Sequence, residues 1–319
     1  MRSFWPIAVL AAGLTVAGCE DEDEPAGTEF SFLVITDTHV RIPGAADDTG
    51  LSQQNLDNFD QMVKRINREF SDAAFVAVTG DLVGCLFSDN ADDYLIGQDN
   101  PAERFKAFAA ALAMPCHPAL GNHDYEKGFD SQLQEGVSSG EPARMEAVWR
   151  KVLGIEPYYS FLHAGVRFIV LNTNRGAARS VPCPLEHVET GCAGSFDDAQ
   201  LEWLQNELLQ PEPCVLFMHH PPITDHNGQA GWSPVGEGFQ IVEQDRFYDV
   251  VLAFREKIKL IFVGHGHLWA HDTLYESIGV YETGSIGDYL GNKDNVRVVR
   301  VNAARDRYEV ESGNPSASE

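Results

Sequence analysis

The stretch Gly121-Asn122-His123-Asp124 leaves a short apolar run and turns at a glycine before it presents three polar side chains in succession. Alone it is a weak signal, because Asn, Asp and Gly are ordinary turn residues. Four other apolar runs end in polar residues in the same way, at Asp37-Thr38-His39, Gly80-Asp81, His219-His220 and Gly264-His265-Gly266-His267. In sheets with helical crossovers, ligands and catalytic groups gather at the carboxyl ends of the strands. These strand ends therefore predict one shared site.

Strand and helix patterns alternate along the chain between these runs. Apolar residues in 52–70 recur at i, i+3, i+4, i+7 and i+11, which predicts an amphipathic helix between the strands that end at Asp37 and Asp81. Further helices are predicted over 101–112 and over about 241–256, and a third is predicted to begin at a cap formed by Ser195 and Asp198. Strands are predicted over 158–163, 166–171, 279–283, 296–301 and 307–311. The alternation implies a single-domain α/β sandwich. Residues 84–100, 125–145, 174–196 and 224–240 are predicted loops.

The charge of the chain restricts its partners. The 319 residues carry a formal net charge of −25, and a surface this acidic repels nucleic-acid backbones and other long polyanions. Arg41 and Arg175 are the cationic side chains nearest to the polar clusters in sequence. A centre of positive charge at the predicted site would therefore have to come from metal ions.

The N-terminus has the pattern of an export signal. Arg2 precedes an apolar run over 4–17, which is shorter than the roughly 20 residues of a membrane-spanning helix, and an acidic run follows. Val16-Ala17-Gly18-Cys19 resembles the lipobox of bacterial lipoproteins, in which the cysteine becomes the lipidated N-terminus. The expected division is a signal peptide over 1–18, an acidic tether over 19–29, a folded domain over 30–311 and a frayed tail over 312–319. A plain secretory signal with a chance cysteine is the alternative.

Export places the remaining cysteines in a compartment that permits disulfides. Cys183 and Cys192 bracket a loop that contains proline and glycine, and we expect them to pair. Cys214 opens an apolar strand and is expected to be buried as a thiol. Cys85 and Cys116 are left open between pairing and remaining free, because connectivity does not follow from sequence.

The strand ends pool oxygen and imidazole donors without a thiolate. This donor set suits Mn, Fe, Co, Ni or Zn, and disfavours copper(I) or an iron–sulfur cluster. It exceeds what one ion needs and suits two ions roughly 3.5 to 4 Å apart that share one carboxylate. The candidate ligands are Asp37, His39, Asp81, Asn122, His219, His265 and His267.

The order D-x-H, GD, GNHD, HHPP and GHGH resembles the calcineurin-like metallophosphoesterase family over roughly residues 30–285. The resemblance implies two mixed β-sheets packed as a sandwich flanked by helices, and a binuclear centre of Mn, Fe or Zn. It implies one ion held by Asp37, His39, Asp81 and His267 and a second ion held by Asp81, Asn122, His219 and His265, with Asp81 shared. It further implies that His123 protonates the leaving oxygen.

Two departures from the subgroups of the family bear on these roles. Phosphoprotein phosphatases carry an Asp-Arg pair where this chain has Gly84 and Cys85, so the carboxylate that orients the acid histidine there is missing. We expect Asp124 to substitute for it. Purple acid phosphatases place a metal-binding tyrosine where Gly84 stands, so that subgroup fits poorly. The motifs look most like those of bacterial cyclic-nucleotide and glycerophosphodiester phosphodiesterases.

The sequence therefore predicts a lipid-anchored phosphodiesterase of small phosphorylated or nucleotide substrates, with activity on monoesters as well, facing the periplasm or cell exterior. His220 is expected either to support the metal ligands or to face the substrate, with a packing role as the alternative, and Arg175 is a further candidate for phosphate contact. The alternatives are a lipid-anchored binding module that kept the fold without catalysis, and a nuclease. The complete ligand set favours the enzyme over the first alternative, and the acidic surface disfavours the second.

Overall fold

The computed structural model describes residues 29–43, 50–94, 99–127, 138–177, 192–225, 239–242, 245–288 and 290–312. The predicted signal peptide, Cys19, most of the predicted tether and residues 313–319 lie outside this part of the chain. Glu29, the last residue of the predicted tether, is the first residue of a strand and pairs with Asn302.

The described residues form strands and helices in alternation. The strands are β1 (Glu29–Ile35), β2 (Val76–Thr79), β3 (Cys116–Ala119), β4 (Glu126–Lys127), β5 (Ser138–Ser139), β6 (Tyr159–His163), β7 (Val166–Val170), β8 (Cys214–Phe217), β9 (Ile258–Val263), β10 (Ala270–Leu274), β11 (Ile278–Glu282), β12 (Arg297–Asn302) and β13 (Arg307–Ser312). The α-helices are α1 (Ser52–Glu69), α2 (Pro101–Ala110), α3 (Pro142–Leu153), α4 (Asp198–Leu208) and α5 (Asp245–Ala253).

Two mixed sheets carry the fold. The first has the order β13-β12-β1-β2-β3, in which β1, β2 and β3 are parallel and the other pairings are antiparallel. The second has the order β10-β11-β9-β8-β7-β6, with parallel pairing from β11 through β7 and an antiparallel strand at each edge. This arrangement confirms the predicted α/β sandwich of two mixed sheets in a single domain.

The alternation of side chains along β1 shows how the layers are built. Phe32 and Val34 point into a core between the two sheets, whereas Leu33 and Ile35 point into a second core beneath helices. All four side chains are fully buried. Because successive residues of a strand face opposite sides of the sheet, a continuous apolar run is the pattern of a strand covered on both faces.

The helices cover the outer faces of the sandwich. The apolar stripe of α1 is buried against the first sheet together with residues of α2 and α3. Residues of α4 and α5 form a third core on the second sheet. The resulting four layers leave the ends of the strands uncovered by helices, and the carboxyl ends of the parallel strands carry the polar clusters.

Two elements differ from the sequence prediction. Helix α3 lies where a loop was predicted through residue 145, and its signal was present: Met145, Val148, Trp149 and Val152 form a buried stripe at helical spacing. Strand β10 was not predicted, because only its two end residues are buried and its middle is polar.

The start of α4 also differs from the prediction. The cap is Asp197, whose carboxylate accepts the amide of Gln200 at 2.8 Å, and not Ser195. Helix α5 is shorter than the predicted 241–256, since it begins at Asp245 and ends at Ala253.

The cysteines follow the predicted pattern where the structure describes them. Cys192 is disulfide-bonded, while its predicted partner Cys183 lies outside the described residues. Cys85 and Cys116 remain thiols, as does the buried Cys214. Among the described helices, none has the length and apolar character that crossing a membrane requires.

Candidate metal centre

The backbone brings the predicted strand ends together at one edge of the sandwich. Beyond the end of β1, the Asp37 and His39 amides donate to Gly80 O at 3.1 Å and Asp81 O at 3.0 Å. In the second sheet, the Gly264 amide donates to His219 O at 3.0 Å. These hydrogen bonds continue the parallel pairing beyond the strands. The polar residues that follow neighbouring strands therefore lie side by side at this edge.

The backbone of the cluster residues has an unusual conformation. Left-handed φ angles are uncommon outside glycine and collect at functional sites, where surrounding structure enforces them. Five of the seven candidate ligands have positive φ, namely Asp37 (51°), His39 (43°), Asp81 (49°), His265 (77°) and His267 (61°). This conformation turns the side chains at the strand ends towards one another.

Glycines make room for this convergence. A Cβ on Gly121 would overlap the carboxylate and the backbone nitrogen of Asp81. A Cβ on Gly264 would overlap Thr36 Oγ1 and would lie 2.6 Å from Asp37 Oδ2. The glycines of the GNHD and GHGH motifs therefore serve close packing around two carboxylates.

The first donor group consists of Asp37, His39, Asp81 and His267, whose ligand atoms lie within 4.8 Å of one another. His39 Nε2 is 3.1 Å from His267 Nε2, and Asp37 Oδ1 is 3.3 Å from His267 Nε2. Asp81 Oδ2 is 3.8 Å from His39 Nε2. The four side chains that the resemblance assigned to one ion are therefore assembled.

The second donor group shares Asp81 with the first and adds His219 and His265, again within 4.8 Å. His219 Nε2 is 3.2 Å from Asp81 Oδ2 and 3.0 Å from Asn122 Oδ1. Asn122 thus joins this group as predicted, and the carboxylate of Asp81 stands between the two groups.

Hydrogen bonds behind the histidines orient their ring nitrogens. His219 donates from Nδ1 to Thr79 O at 2.8 Å, so Nε2, beside Asp81, is the nitrogen available to an ion. His265 donates from Nε2 to Cys192 O at 2.8 Å, which leaves Nδ1 for the site. Such partners fix the tautomer of metal-binding histidines.

The residues fit a group of divalent ions. Asp37 Oδ1 is buried without a hydrogen-bond partner, and the nearby His39 and His267 nitrogens face each other across 3.1 Å. Buried polar atoms without partners are costly, and a cation between them would satisfy all three. Carboxylate, amide and imidazole donors without thiolate match Mn, Fe or Zn.

The electrostatics of the cluster favour ionised carboxylates and divide the histidines into two with lowered and two with raised pKa values. Burial raises the pKa of Asp37 and of Asp81, but nearby histidines outweigh it and both pKa values are lowered. Burial lowers the pKa of His39 to about 4 and that of His265 to about 3. Burial also lowers the pKa of His219 and of His267, but the charge of Asp81 outweighs it and raises the pKa of His219 to about 9, and the charge of Asp37 raises the pKa of His267. The carboxylates are therefore in the state that binds cations, and ion binding would release protons from His219 and His267.

His123 stands beside the cluster with a different set of contacts. Its Nδ1 donates to Glu126 Oε2 at 2.7 Å and lies 3.2 Å from Gly84 O, while 30% of its side chain is exposed. Burial lowers the pKa of His123, but the charges of Glu126 and Asp81 outweigh it and raise the pKa to about 10. A protonated imidazole at the open side of the cluster can donate a proton.

The prediction that Asp124 orients His123 is corrected, since Glu126 holds that position. The Asp124 carboxylate is fully buried and accepts the backbone amides of Leu82, Val83 and Gly121 at 3.2, 3.1 and 2.8 Å. It therefore joins the loop after β2 to the turn after β3. Burial and the charge of Asp81 raise the pKa of Asp124 to about 8, against the effect of the three amides.

The structure decides between the roles left open for His220 and corrects the predicted phosphate contact of Arg175. His220 is fully buried and its Nδ1 lies 2.6 Å from Thr173 Oγ1. It therefore packs behind the donor groups and is not exposed to substrate. Arg175 donates to Asp197 at 2.7 Å and to Glu146 at 2.8 and 3.0 Å. A guanidinium held by two carboxylates is occupied within the protein.

Two residues at the site were missed by sequence reasoning. Glu126 lies three residues after His123, a spacing that places both on one side of a single turn. Asp288 lies 3.3 Å from His39 Nδ1 and, like Asp81, follows a glycine, but several residues separate it from the end of β11, so no apolar run pointed to it. Burial raises the pKa of Asp288, but His39 and Arg41 outweigh it and lower the pKa to about 2.

Curated proteins with similar sequences are named as phosphodiesterases. A probable cyclic nucleotide phosphodiesterase of Rhodopseudomonas palustris is 26% identical over 75% of this chain and 72% of its own length. The 3',5'-cyclic adenosine monophosphate phosphodiesterase of Escherichia coli is 23% identical over 74% of this chain and 69% of its own length.

Solved structures share the fold at low identity. A dimetal phosphatase from Danio rerio aligns with a TM-score of 0.54 and 14% identity over 89% of this chain and 98% of its own. A purple acid phosphatase from yellow lupin aligns with a TM-score of 0.56 and 12% identity over 91% of this chain and 52% of its own. The family model of the calcineurin-like phosphoesterases matches residues 30–268, which include every candidate ligand described above. This chain therefore belongs to the calcineurin-like phosphoesterase family.

Proposed function

We propose that the protein is a binuclear hydrolase that cleaves small phosphodiesters, and also monoesters at lower efficiency. The observation that carries this proposal is the shared carboxylate of Asp81, which belongs to both donor groups while His123 stands beside them. Ions bound there would supply the positive charge that offsets a phosphoryl group and activates water. A binding module without catalysis has no need of a protonated histidine at this place.

In this proposal, one set of side chains binds the ions and another transfers a proton. Asp37, His39 and His267 hold one ion in this proposal, and His219, His265 and Asn122 hold the other. The Asp81 carboxylate also accepts the His123 amide at 2.9 Å, so the shared ligand and the acid are tied together. Glu126 keeps the proton on His123 Nδ1 and directs Nε2 outward, where it can protonate a departing oxygen.

The preference for small diesters rests on three supports. The net charge of −25 disfavours nucleic-acid polymers, which argues against a nuclease. Arg175 is held by two carboxylates and does not provide the guanidinium that a dianionic monoester favours. The similar curated proteins carry names that specify cyclic nucleotides. We therefore propose cyclic nucleotides and comparable small diesters as the substrate class.

A substrate panel on metal-loaded protein tests the proposal. The purified protein is stripped with chelator, reloaded with Mn, Fe or Zn, and assayed on bis-nitrophenyl phosphate, nitrophenyl phosphate, cyclic AMP, glycerophosphodiesters and single-stranded DNA. We expect close to two ions per chain, higher kcat/KM on the diesters than on the monoester, and no cleavage of DNA. Cleavage of DNA as the main activity would favour a nuclease.

Asp81→Ala separates the enzyme from a protein that keeps the fold without catalysis. Because Asp81 contributes to both donor groups, its removal should abolish turnover and lower the affinity for both ions. A variant that retains two tightly bound ions would contradict the binuclear site. Stable binding of two ions by the wild type without turnover of any ester would favour the binding module.

We also propose that the protein is exported and anchored by lipid at Cys19. The proposal is supported by Val16-Ala17-Gly18-Cys19 directly behind the apolar run. Labelled fatty acid should enter the wild type and not Cys19→Ala. Equal labelling of both proteins, or a mature N-terminus at another residue, would overturn it.

A further inference from the structure

The segment after β11 lies against the first motif of the site. The Ile286 amide donates to Thr36 O at 3.2 Å, and the Gly287 amide donates to Asp37 O at 2.8 Å. A Cβ on Gly287 would lie 2.5 Å from Thr38 O and 3.0 Å from His39 Cβ, so the approach requires glycine. The segment therefore delivers the next residue, Asp288, to the side of His39 that faces away from the donor group.

Asp288 is held firmly in that place. The buried Asn55 of α1 accepts the Asp288 amide at 2.9 Å and donates to Asp288 Oδ1 at 3.1 Å and to His39 O at 2.9 Å. Arg41 Nη2 lies 3.7 Å from the other carboxylate oxygen. The φ of Asp288 is 57°, a conformation that needs surrounding contacts in a residue with a side chain.

His39 differs from His219 and His265 in the acceptor that faces its second ring nitrogen. His219 and His265 donate to backbone carbonyl groups, Thr79 O and Cys192 O. His39 Nδ1 is buried and makes no hydrogen bond of standard geometry to the described residues. The Asp288 carboxylate, at 3.3 Å, is the acceptor within reach of this nitrogen. A small rotation of either side chain would complete the bond.

We propose that Asp288 is a positioning residue of the metal centre: its carboxylate holds the proton of His39 on Nδ1, so that Nε2 presents its lone pair to the ion held by Asp37, His39, Asp81 and His267. The inference deepens the proposed function and rests on it. Carboxylate partners of this kind orient the ring and raise its basicity, and their loss typically lowers metal affinity by roughly 10- to 100-fold.

The inference predicts a loss at one ion only. The second donor group orients its histidines through backbone carbonyls, which the Asp288 substitution does not touch. Asp288→Ala should therefore weaken the binding of one ion by roughly 10- to 100-fold and leave the other within about twofold of the wild type. Asp288→Asn keeps an acceptor oxygen and tolerates positive φ, so most of the affinity should return.

The measurement is a competition titration of apo protein with Mn²⁺ or Zn²⁺ against a chromophoric chelator, with bound metal counted at each step. Asp306→Ala is the matched control, because Asp306 has φ 51° and lies away from the site, bonded to Lys259. It reproduces the backbone strain without touching His39. Thermal unfolding of each apo variant shows whether the fold is intact.

The outcomes distinguish the inference from the proposed function. A stepwise loss confined to one ion, with rescue by Asp288→Asn, supports the positioning role. Equal weakening of both ions, unchanged affinity for both ions, or the same loss in Asp306→Ala, overturns it while the binuclear site stands. A wild type that binds fewer than two ions overturns the proposed function itself. If Asp288→Ala does not fold, Asp288→Gly takes its place in the same comparison, because glycine also lacks the acceptor and adopts the φ of 57° without strain.

Discussion

Asn122 and His123 are adjacent residues with different surroundings. Asn122 is 8% exposed and points to His219, whereas His123 is 30% exposed along its side chain and is held by Glu126. Backbone geometry separates the two roles, since the chain enters a 3₁₀ turn at this point and directs successive side chains apart. In the proposed mechanism, Asn122 faces the ions and His123 faces the departing group.

His123→Ala should lose rate in proportion to the basicity of the leaving group. General acid catalysis contributes roughly 10²- to 10⁴-fold, and a nitrophenolate leaves without such help. We therefore expect a loss in this range on an alkyl or nucleoside ester, a much smaller loss on a nitrophenyl ester, and unchanged metal content. Steady-state rates on both substrates, measured with metal analysis, check the prediction.

Glu126→Gln and Asn122→Ala serve as controls for that experiment. Glu126→Gln should repeat the substrate dependence of His123→Ala with a smaller loss, because the amide keeps an acceptor and removes the charge. Asn122→Ala should lower metal content and reduce both rates alike. An equal loss on both esters in His123→Ala would contradict its role as an acid.

Gly121→Ala should disturb the shared carboxylate. Its Cβ would overlap the Asp81 backbone nitrogen and Oδ1 and lie 2.8 Å from Cγ. Overpacking of this kind costs roughly 1 to 3 kcal/mol, and here the displaced group is a metal ligand. We expect lower unfolding free energy in urea together with weaker metal binding.

Gly154→Ala is the comparison for Gly121→Ala. Gly154 has φ 69° and open space around its Cα, so a methyl group meets no atom within 4 Å. The substitution should cost about 1 to 2 kcal/mol through backbone strain alone. Metal affinity should stay at the wild-type value. Loss of metal binding in both variants would mean that general destabilisation explains the Gly121 effect.

At the scale of elements, the parallel strands and their helices determine which residues reach the site. The site uses the carboxyl ends of β1, β2, β3, β8 and β9, all of which have parallel neighbours. The antiparallel edge strands add no ligand among the candidate residues. Apolar runs, helical stripes and glycines at strand ends made these elements predictable from sequence. Helix α3 was overlooked although its stripe was visible, and β10 had no apolar run to reveal it.

The start of α4 offers a test at this scale. Asp197 caps the helix through the Gln200 amide and also binds Arg175 at 2.7 Å. Asp197→Ala should lower the unfolding free energy by about 1 kcal/mol, because the helix loses its cap. Asp197→Asn keeps the cap and should remain close to the wild type in urea unfolding. If both variants lost the same stability, the ion pair and not the cap would be the stabilising contact.

At the scale of the whole molecule, the acidic charge and the clustered carboxylates predict that cations stabilise the fold. The chain carries a net charge of −25, and Asp37 and Asp81 lie buried in one site. The charge of Asp81 acts to raise the pKa of Asp37, against the nearby histidines that lower it. Divalent ions bound as proposed would offset this repulsion and would link residues of both sheets at one edge.

Removal of metal should therefore lower thermal stability. A ligand that binds only the native state adds about 2.7 kcal/mol at 100 times its Kd. We expect Tm to fall on treatment with chelator and to recover when Mn²⁺ or Zn²⁺ is restored, as measured by calorimetry. Asp81→Ala should show a much smaller response to the same ions. A Tm that does not change with metal in the wild type would contradict ion binding by the native state.

The sequence by itself determined the α/β sandwich, the strand ends and the seven candidate ligands, because each follows from a short local pattern: an apolar run that ends in donor side chains, with a glycine before the donor at three of the five strand ends. Tertiary structure alone decided the partners of those residues. It placed Glu126 and not Asp124 against His123. It paired Arg175 with Glu146 and Asp197, and it brought Asp288 to His39. The contacts of Arg175 and Asp288 join segments far apart in sequence through the packing of the fold, which no local pattern records. Glu126 lies only three residues from His123, where the spacing permitted the contact but did not distinguish it from Asp124.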